Sequence, residues 1–361
     1  MNNEHIYHTI KVSNFEKYTN SNKSIPAQIY ESTPKLIKRQ SDYKMSVTNF
    51  SMLFQLPIMV CPIVENLANT DPDATIFGVC LSYVGNDYPT RISYINDNGT
   101  PSPAVLPPSA NNGTQDLRGF YYNIYYFETF IKMVNNALLA SYTAFNAAHG
   151  GVHASAPYYI YNPDSGLFSL ISEFSYSLIG ACTIHHNQQL NRLFDNIRIF
   201  FNGFDQANFK DYTLLIENRN NTNAYALKGA TIPVPPLNPA YLQMEQEFDS
   251  RYSFTNIKSV LITTTINIRQ EVVPQEEIIN AFTPPSRGVL TYFDINYTTE
   301  GGWRQPIFYV PKIYKWIDLL STDDLNSFAV GAEIILFSGK VLPLNVPINS
   351  CASIKLLFEK K

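Results

Sequence analysis

Charge is the first thing this sequence is short of. Only 16% of its 361 residues are Asp, Glu, Lys or Arg, against roughly 25% in an average soluble protein. With 26 basic and 30 acidic side chains the formal net charge is −4, so the whole chain has no basic footprint for nucleic acid. The one basic excess is local: residues 1–40 carry Lys11, Lys17, Lys23, Lys35, Lys38 and Arg39 against Glu4, Glu16 and Glu31. That is too sparse for a genome-binding arm, whose affinity needs many phosphate contacts. Cysteine is scarce as well. Cys61, Cys80, Cys182 and Cys351 are scattered without a CxxC pair; they read as buried free thiols of a chain folding in a reducing compartment, not as a disulfide framework or metal site. Long apolar runs are missing too. The stretch from Phe50 to Val64 is broken by Gln55, Pro57 and Pro62 and is too short to span a bilayer, and the polar N-terminus MNNEHIYHTI has no signal-peptide core.

Chemical motifs are absent in the same way. There is no GxGxxG and no GxxxxGK[ST] to cradle a phosphate, no GxSxG elbow and no HExxH. No catalytic, cofactor-binding or metal-binding residue is assigned, and the chain reads as a non-enzyme.

Aromatics fill the space that charge leaves. There are 24 Tyr and 23 Phe. These residue types are enriched at the cores of protein interfaces, where Lys and Glu are depleted. A weakly charged surface of this kind lies against neighbours at little desolvation cost. AT-rich codon usage favours the same residues, and the two explanations are compatible.

Along the chain, residues 1–40 lack sustained periodicity and read as an extended N-terminal arm that orders on docking. Tyr43, Met45 and Val47 alternate with polar neighbours, as a half-buried strand does. Thr75–Val84 and Thr90–Ile95 suggest a hairpin turning at Gly85. Residues 96–116, rich in Pro, Asn and Gly, are a long loop of the kind that carries function or sits at an interface. Phe127, Phe130, Ile131, Val134, Leu138, Tyr142 and Phe145 recur at three and four, so a helix is predicted near 127–146, stopped by Gly150 and Gly151. A strand pair turns at Asn162–Gly166, and a short helix around Gln188–Ile197 precedes strands at Arg198 and Tyr212. The stretch 217–249, with Pro233, Pro235, Pro236 and Pro239, reads as a crossover. Beyond it the signals are β: Val260 to Ile268, Val289 to Ile295, Pro306 to Val310, Ala332 to Phe337 and Ser353 to Phe358. The fold class is therefore mainly β, an antiparallel sandwich with one inserted helix. The expected division is an arm at 1–40, a first β-module at 41–216, the crossover at 217–249 and a second β-module at 250–361.

Four candidate sites need weighing. His149 and His153, with His185 and His186 further on, would bind a metal only if the fold gathered them. The glycines between His149 and His153 argue against one helix face carrying both, and loop or helix-end histidines are the favoured reading. Gly301-Gly-Trp-Arg reads as a turn that packs Trp303 on a sheet. Asp323-Asp324 and Glu276-Glu277 read as solvated or capping carboxylates. The aromatic run Phe120 to Phe127 would stack a base or a sugar if it were exposed, but reads better as a buried strand or a subunit contact.

With the arm, the strand Tyr43–Leu53, the Pro/Gly/Asn loops, the inserted helix and the terminal strand Ser353–Phe358 laid out, the chain resembles viral jelly-roll capsid proteins. It is most similar to the double jelly-roll capsid proteins of the adenovirus, virophage and polinton-like DNA viruses. The resemblance covers about 41–361 and rests on architecture, so it brings no functional residues with it. It implies a structural protein of an icosahedral virion that self-assembles into capsomers: trimers, or pentamers for a vertex protein, with other capsid proteins as partners. A single-jelly-roll vertex (penton) protein stays open, because the second module is short for an eight-stranded roll. A receptor- or carbohydrate-binding β-sandwich is the alternative from a different class.

Overall fold

The computed structural model describes residues 5–14, 25–26, 28–53, 56–62, 73–95, 121–178, 180–205, 207–216, 241–268, 272–273, 287–295, 307–339, 341–346 and 350–361. Of the expected crossover at 217–249, residues 217–240 lie outside them, as do the loop 96–116, Gly301–Arg304 and Glu276–Glu277, while Tyr241–Glu245 is a strand. The chain divides into two compact units: residues 1–60, 99–125 and 255–361 form unit 1, and residues 61–98 and 126–254 form unit 2. The units are interleaved along the chain, not consecutive as the modules 41–216 and 250–361 would be. The reason is strand pairing, since both ends of the chain are hydrogen-bonded into unit 1.

Strands are numbered β1 to β23 in chain order. One sheet of unit 1 runs β1 (His5–Asn14), β23 (Ser350–Lys360), β4 (Tyr43–Met52), β18 (Ile307–Tyr309), with β19 (Ile317–Asp318) also on β4. The second runs β16 (Val272–Val273), β17 (Arg287–Asp294), β15 (Ile257–Thr264), β20 (Leu325–Leu336), β21 (Val341–Pro343), with β3 (Gln28–Ile37) also on β20. A small ladder joins β2 (Ile25–Pro26) to β22 (Asn345–Val346). Every pairing with a defined register is antiparallel. Inward side chains of both large sheets form one core, including Phe50, Met52, Val260, Ile262, Val330, Ile334, Leu356 and Phe358.

Two local details explain how the sequence builds this core. Met45 and Val47 share a face, and so do Phe50 and Met52, but the step from 47 to 50 is odd and would turn the second pair away. The register shifts there: Lys355 pairs with Asn49 and Leu356 with Val47, leaving Thr48 as an extra residue. This β-bulge restores the phase, and the Thr48 hydroxyl donates to the Lys355 carbonyl at 3.1 Å. The second detail corrects the arm. β1 pairs with β23 over its whole length, from His5 opposite Glu359 to Asn14 opposite Ser350. Ile10 is buried and Ile6 and Val12 pack on the core, while Tyr7, Thr9 and Lys11 face outward. The alternation Ile6, His8, Ile10, Val12 is the strand signal that was present in this stretch.

Unit 2 holds a five-stranded sheet in the order β12 (Ile199–Phe201), β13 (Tyr212–Leu214), β11 (Thr183–His186), β6 (Ala74–Tyr83), β7 (Asn86–Ser93). A three-stranded sheet runs β14 (Tyr241–Glu245), β10 (Leu167–Glu173), β9 (Tyr158–Asn162). The predicted helix is α1, Phe127–His149; the expected helix at 188–197 is helical only over Gln188–Asn191. β5 (Met59–Pro62) pairs with β8 (Tyr121–Ile124) near the point where the chain passes between units.

Polar side chains pin α1 to both sheets. Asn135 donates to the Tyr159 carbonyl at 2.8 Å and accepts from the Tyr159 N–H at 2.6 Å, so it completes the edge of β9 as another strand would. Ser141, fully buried, donates to the Tyr88 carbonyl and accepts from the Leu81 N–H. Between them lies an aromatic core: Tyr159 stacks on Phe194 at 4.2 Å, Phe168 on Phe254 at 5.0 Å, and Phe127 and Phe130 meet Phe254 edge-on. Pairs in these geometries contribute about 0.5–1.5 kcal/mol each beyond area burial.

Candidate functional site

The four histidines are all in unit 2 and serve separate surroundings. His149 ends α1 with its ring against Tyr83 and Phe145. His153 stacks flat on Tyr176 at 3.7 Å, and its Nδ1 is hydrogen-bonded to the Ser175 hydroxyl at 2.8 Å. Ser175 in turn donates to Glu173, a buried carboxylate that also accepts from Ser155 and from the Ala154 N–H. The serine sits between imidazole and carboxylate here. In a nucleophilic triad the imidazole is in the middle, so this cluster is a buried polar network that ties the segment after α1 to β10.

His185 and His186 are neighbours on β11 but point to opposite faces. His185 is hydrogen-bonded through Nε2 to Thr183 and through Nδ1 to Thr213. His186 reaches the Tyr159 hydroxyl through Nε2 at 3.3 Å, and its buried Nδ1 has no partner among the described residues. Burial, reinforced by the positive charge of Lys210, pushes His185 down to about 4. Burial, with a smaller push from His185, takes His186 down to about 3. Both are neutral imidazoles near pH 7. Among the described residues no three His, Cys, Asp or Glu side chains gather into a group that could hold a metal.

The other candidates fall equally apart. Asp323 accepts from the Ser321 hydroxyl, and Asp324 accepts from the Arg39 N–H: two loop carboxylates that cap backbone and neighbours. Of the aromatic run, Tyr125 and Phe127 are buried and Tyr126 is exposed. All four cysteines are buried and free.

Two features stand out that motif reading missed, and both belong to unit 2. One is a cavity of about 300 Å³ beside the β6–β7 hairpin, lined by Ile76, Arg91, Gln188, Gln189, Phe209 and Asp211, with Asn187 and Phe204. Its floor depends on Gly78, because a Cβ there would overlap the Phe209 ring. The other is an exposed aromatic patch in which Phe201 lies 5.3 Å from Phe204 and 5.2 Å from Tyr212, with Phe204 68% exposed. Unit 1 has its own exposed apolar segment, from Phe308 to Tyr314. Contiguous exposed apolar surface on a folded protein marks a contact site.

Comparison with known proteins places this geometry. The sequence model of the Sputnik minor capsid protein V18/19 family matches residues 6–360. The chain belongs to that family. Membership in the V18/19 minor capsid family makes it a structural protein of the virus capsid, located in the virion. A curated relative is the uncharacterized protein V18 of Sputnik virophage, 31% identical over 130 residues, which are 35% of this chain and 75% of V18. The fold matches a chain of the Sputnik virophage cryo-EM structure with a TM-score of 0.71 at 22% identity, covering 99% of this chain and 98% of the other. It also matches the crystal structure of the mavirus penton protein, with a TM-score of 0.58 at 14% identity over 99% and 100% of the two chains. The mainly antiparallel β architecture is thus shared end to end with two virophage particle proteins. No helix among the described residues is long and apolar enough to cross a membrane.

Proposed function

We propose that this V18/19-family chain is the vertex (penton) subunit of an icosahedral shell. It assembles with four copies of itself into a ring and meets other capsid proteins around the rim. The observation that carries this reading is the end-to-end likeness of the fold to a penton protein, joined to membership in a minor capsid family. We further read each of the two interleaved units as one jelly roll. In unit 1 two antiparallel sheets enclose one core, which gives a rigid wedge whose loops vary without disturbing the packing. Ring closure multiplies modest contacts into a stable assembly, and exposed aromatics such as Phe308 and Tyr314 supply contact area of the type that dominates interface energetics. The role is structural, without catalysis or sequence-specific nucleic-acid binding, in keeping with the net charge of −4.

The test is the mass of the purified full-length protein in solution together with negative-stain electron microscopy. Five-membered rings are the expected result. A trimer would assign the chain to the capsomer positions between vertices, and a stable monomer at high concentration would remove self-assembly from its role.

A further inference from the structure

We propose that the cavity of unit 2 is a binding site for one neutral pyranose ring, the terminal sugar of a glycan. Four observations converge on that ligand class. The first is size: about 300 Å³ is at the lower end of the ~300–1,000 Å³ of ligand pockets, which matches a single ring. The second is the pairing of surfaces. Ile76 and Phe204 present apolar walls, and the C–H face of a pyranose packs on an exposed ring such as Phe204. On the same cavity Gln188, Gln189 and Arg91 present polar edges.

The third observation is hydrogen-bonding capacity that the protein does not use. Among the described residues Arg91 donates only from Nη1, to the Thr75 carbonyl at 3.1 Å, and its guanidinium lies over the Phe209 ring at 4.9 Å. Among the described residues the Gln188 side-chain amide has no hydrogen-bond partner, and Gln189 uses only Oε1, which accepts from Asn187 at 2.9 Å. Asn187, by contrast, is fully engaged: it donates to Ile76 and Gln189 and accepts from Gly78 and Leu190. The free capacity therefore includes both donors and acceptors, which is what a polyol needs and a simple anion does not. Charge points the same way. Arg91 and Asp211 both line the cavity, and the Asp211 carboxylate is already held by the N–H groups of Gln188 and Asp205. A balanced pocket offers no net attraction to a phosphate or sulfate.

The fourth observation is backbone strain. Phe209 has φ of 57°, a left-handed conformation that costs a bulky L-residue energy and is uncommon outside glycine, Asn and Asp. It is kept there by the Asp205 carbonyl, which accepts the Phe209 N–H at 2.9 Å. The strained backbone holds the ring over Gly78 and beneath Arg91, where it forms the cavity floor.

The site is separate from the assembly role and does not depend on ring stoichiometry. It is tested on the full-length protein in its native oligomer by saturation-transfer NMR and calorimetric titration. The probes are the methyl glycosides of glucose, galactose, mannose, fucose and N-acetylglucosamine, with N-acetylneuraminic acid and sulfate as charged comparators. At least one neutral glycoside is expected to bind with a Kd of about 1 mM, the weak regime of a single small ring. Phe204→Ala and Gln188→Ala are each expected to weaken it about tenfold or more, with the circular dichroism spectrum and the oligomeric mass unchanged. The proposal is overturned if no neutral glycoside binds, if only the charged comparators bind, or if binding survives both substitutions unaltered.

Discussion

Lowering the pH should loosen unit 2 before it affects unit 1, and the two β11 histidines set the size of the effect. A free histidine titrates near 6.5, whereas His185 is pushed down to about 4 and His186 to about 3. Above about pH 6.5 both states hold neutral rings, and the shifts contribute nothing. Between the folded and the unfolded values the unfolded chain binds protons that the folded chain refuses, so stability falls as pH falls. The slope is about 1.4 kcal/mol per pH unit for each ring. At about pH 5 the loss is therefore ~2 kcal/mol per histidine and up to ~4 kcal/mol together, against a typical domain stability of about 5–15 kcal/mol. His153, also lowered by burial with partial compensation from Glu173, adds a smaller term of the same sign. Hydrogen–deuterium exchange reads this locally, in the β11 amides that pair with β6 from Thr183 opposite Ser82 to His186 opposite Val79. Their protection should drop steeply between about pH 6.5 and about pH 5, while that of β23 changes less. A H185Q/H186Q double variant, which carries no titrating ring on β11, should keep most of its neutral-pH protection down to about pH 5. A wild-type profile that is flat over this range would refute the argument, as would a double variant that falls as steeply.

Other perturbations reach different parts of the structure. Gly78→Ala forces the Phe209 ring off the cavity floor and should cost about 1–3 kcal/mol of stability as overpacking, measured by urea unfolding. Val84→Asn should stabilise by about 1 kcal/mol. Val84 and Gly85 both have positive φ at the two-residue β6–β7 turn, and a β-branched residue is poorly suited to the position where Asn-Gly is preferred; thermal unfolding checks the sign. Burial raises the Cys80 thiol to about 11 and Cys182 to about 12, so neither should react with iodoacetamide near pH 8 until the protein is denatured, as mass spectrometry of labelled peptides will report. Removing residues 1–14 deletes β1 and uncovers the β23 edge. Lower unit 1 stability and concentration-dependent aggregation by light scattering are the expected outcome.

The strands were legible where period two ran for several residues between turn residues, as in β4 and β15, or where a short apolar run ended at a turn, as at the end of β20; α1 was legible from its three-and-four spacing. Two kinds of information were not. The assignment of strands to units depends on pairings across the whole chain: β23 lies between β1 and β4, more than three hundred residues from β1 by number, and no local pattern encodes that. The histidine surroundings depend on which residues the fold brings near, since Ser175 and Tyr176 for His153, and Tyr159 for His186, are remote in the sequence from any motif. The cavity was illegible for a related reason. Its polar residues come from β7, the cap and first turn of the Gln188–Asn191 helix and the loop before β13, and the one local hint is Gly78 in the middle of a strand, where a glycine signals close approach of another group.

The position of the chain ends constrains how such a subunit assembles. An arm free to lie across a neighbour would have to leave its own sheet, and here β1 contributes ten paired residues and the buried Ile10 to unit 1. Lending it to a neighbour without receiving a β1 in return would expose the β23 edge and part of the core. β1 is an edge strand with outward-facing Tyr7, Thr9 and Lys11, so a neighbour can pack on that face without any strand being displaced. The lysine stem helps here: Lys355 lies over the Tyr7 ring at 4.9 Å, so an aromatic and a cation share one outward patch, a combination that suits an interface core flanked by a polar rim. Assembly through preformed faces also explains the composition with which the sequence begins. A subunit that docks rigidly loses little entropy on binding, and this chain, poor in charge, divides its aromatics between closed cores and exposed faces.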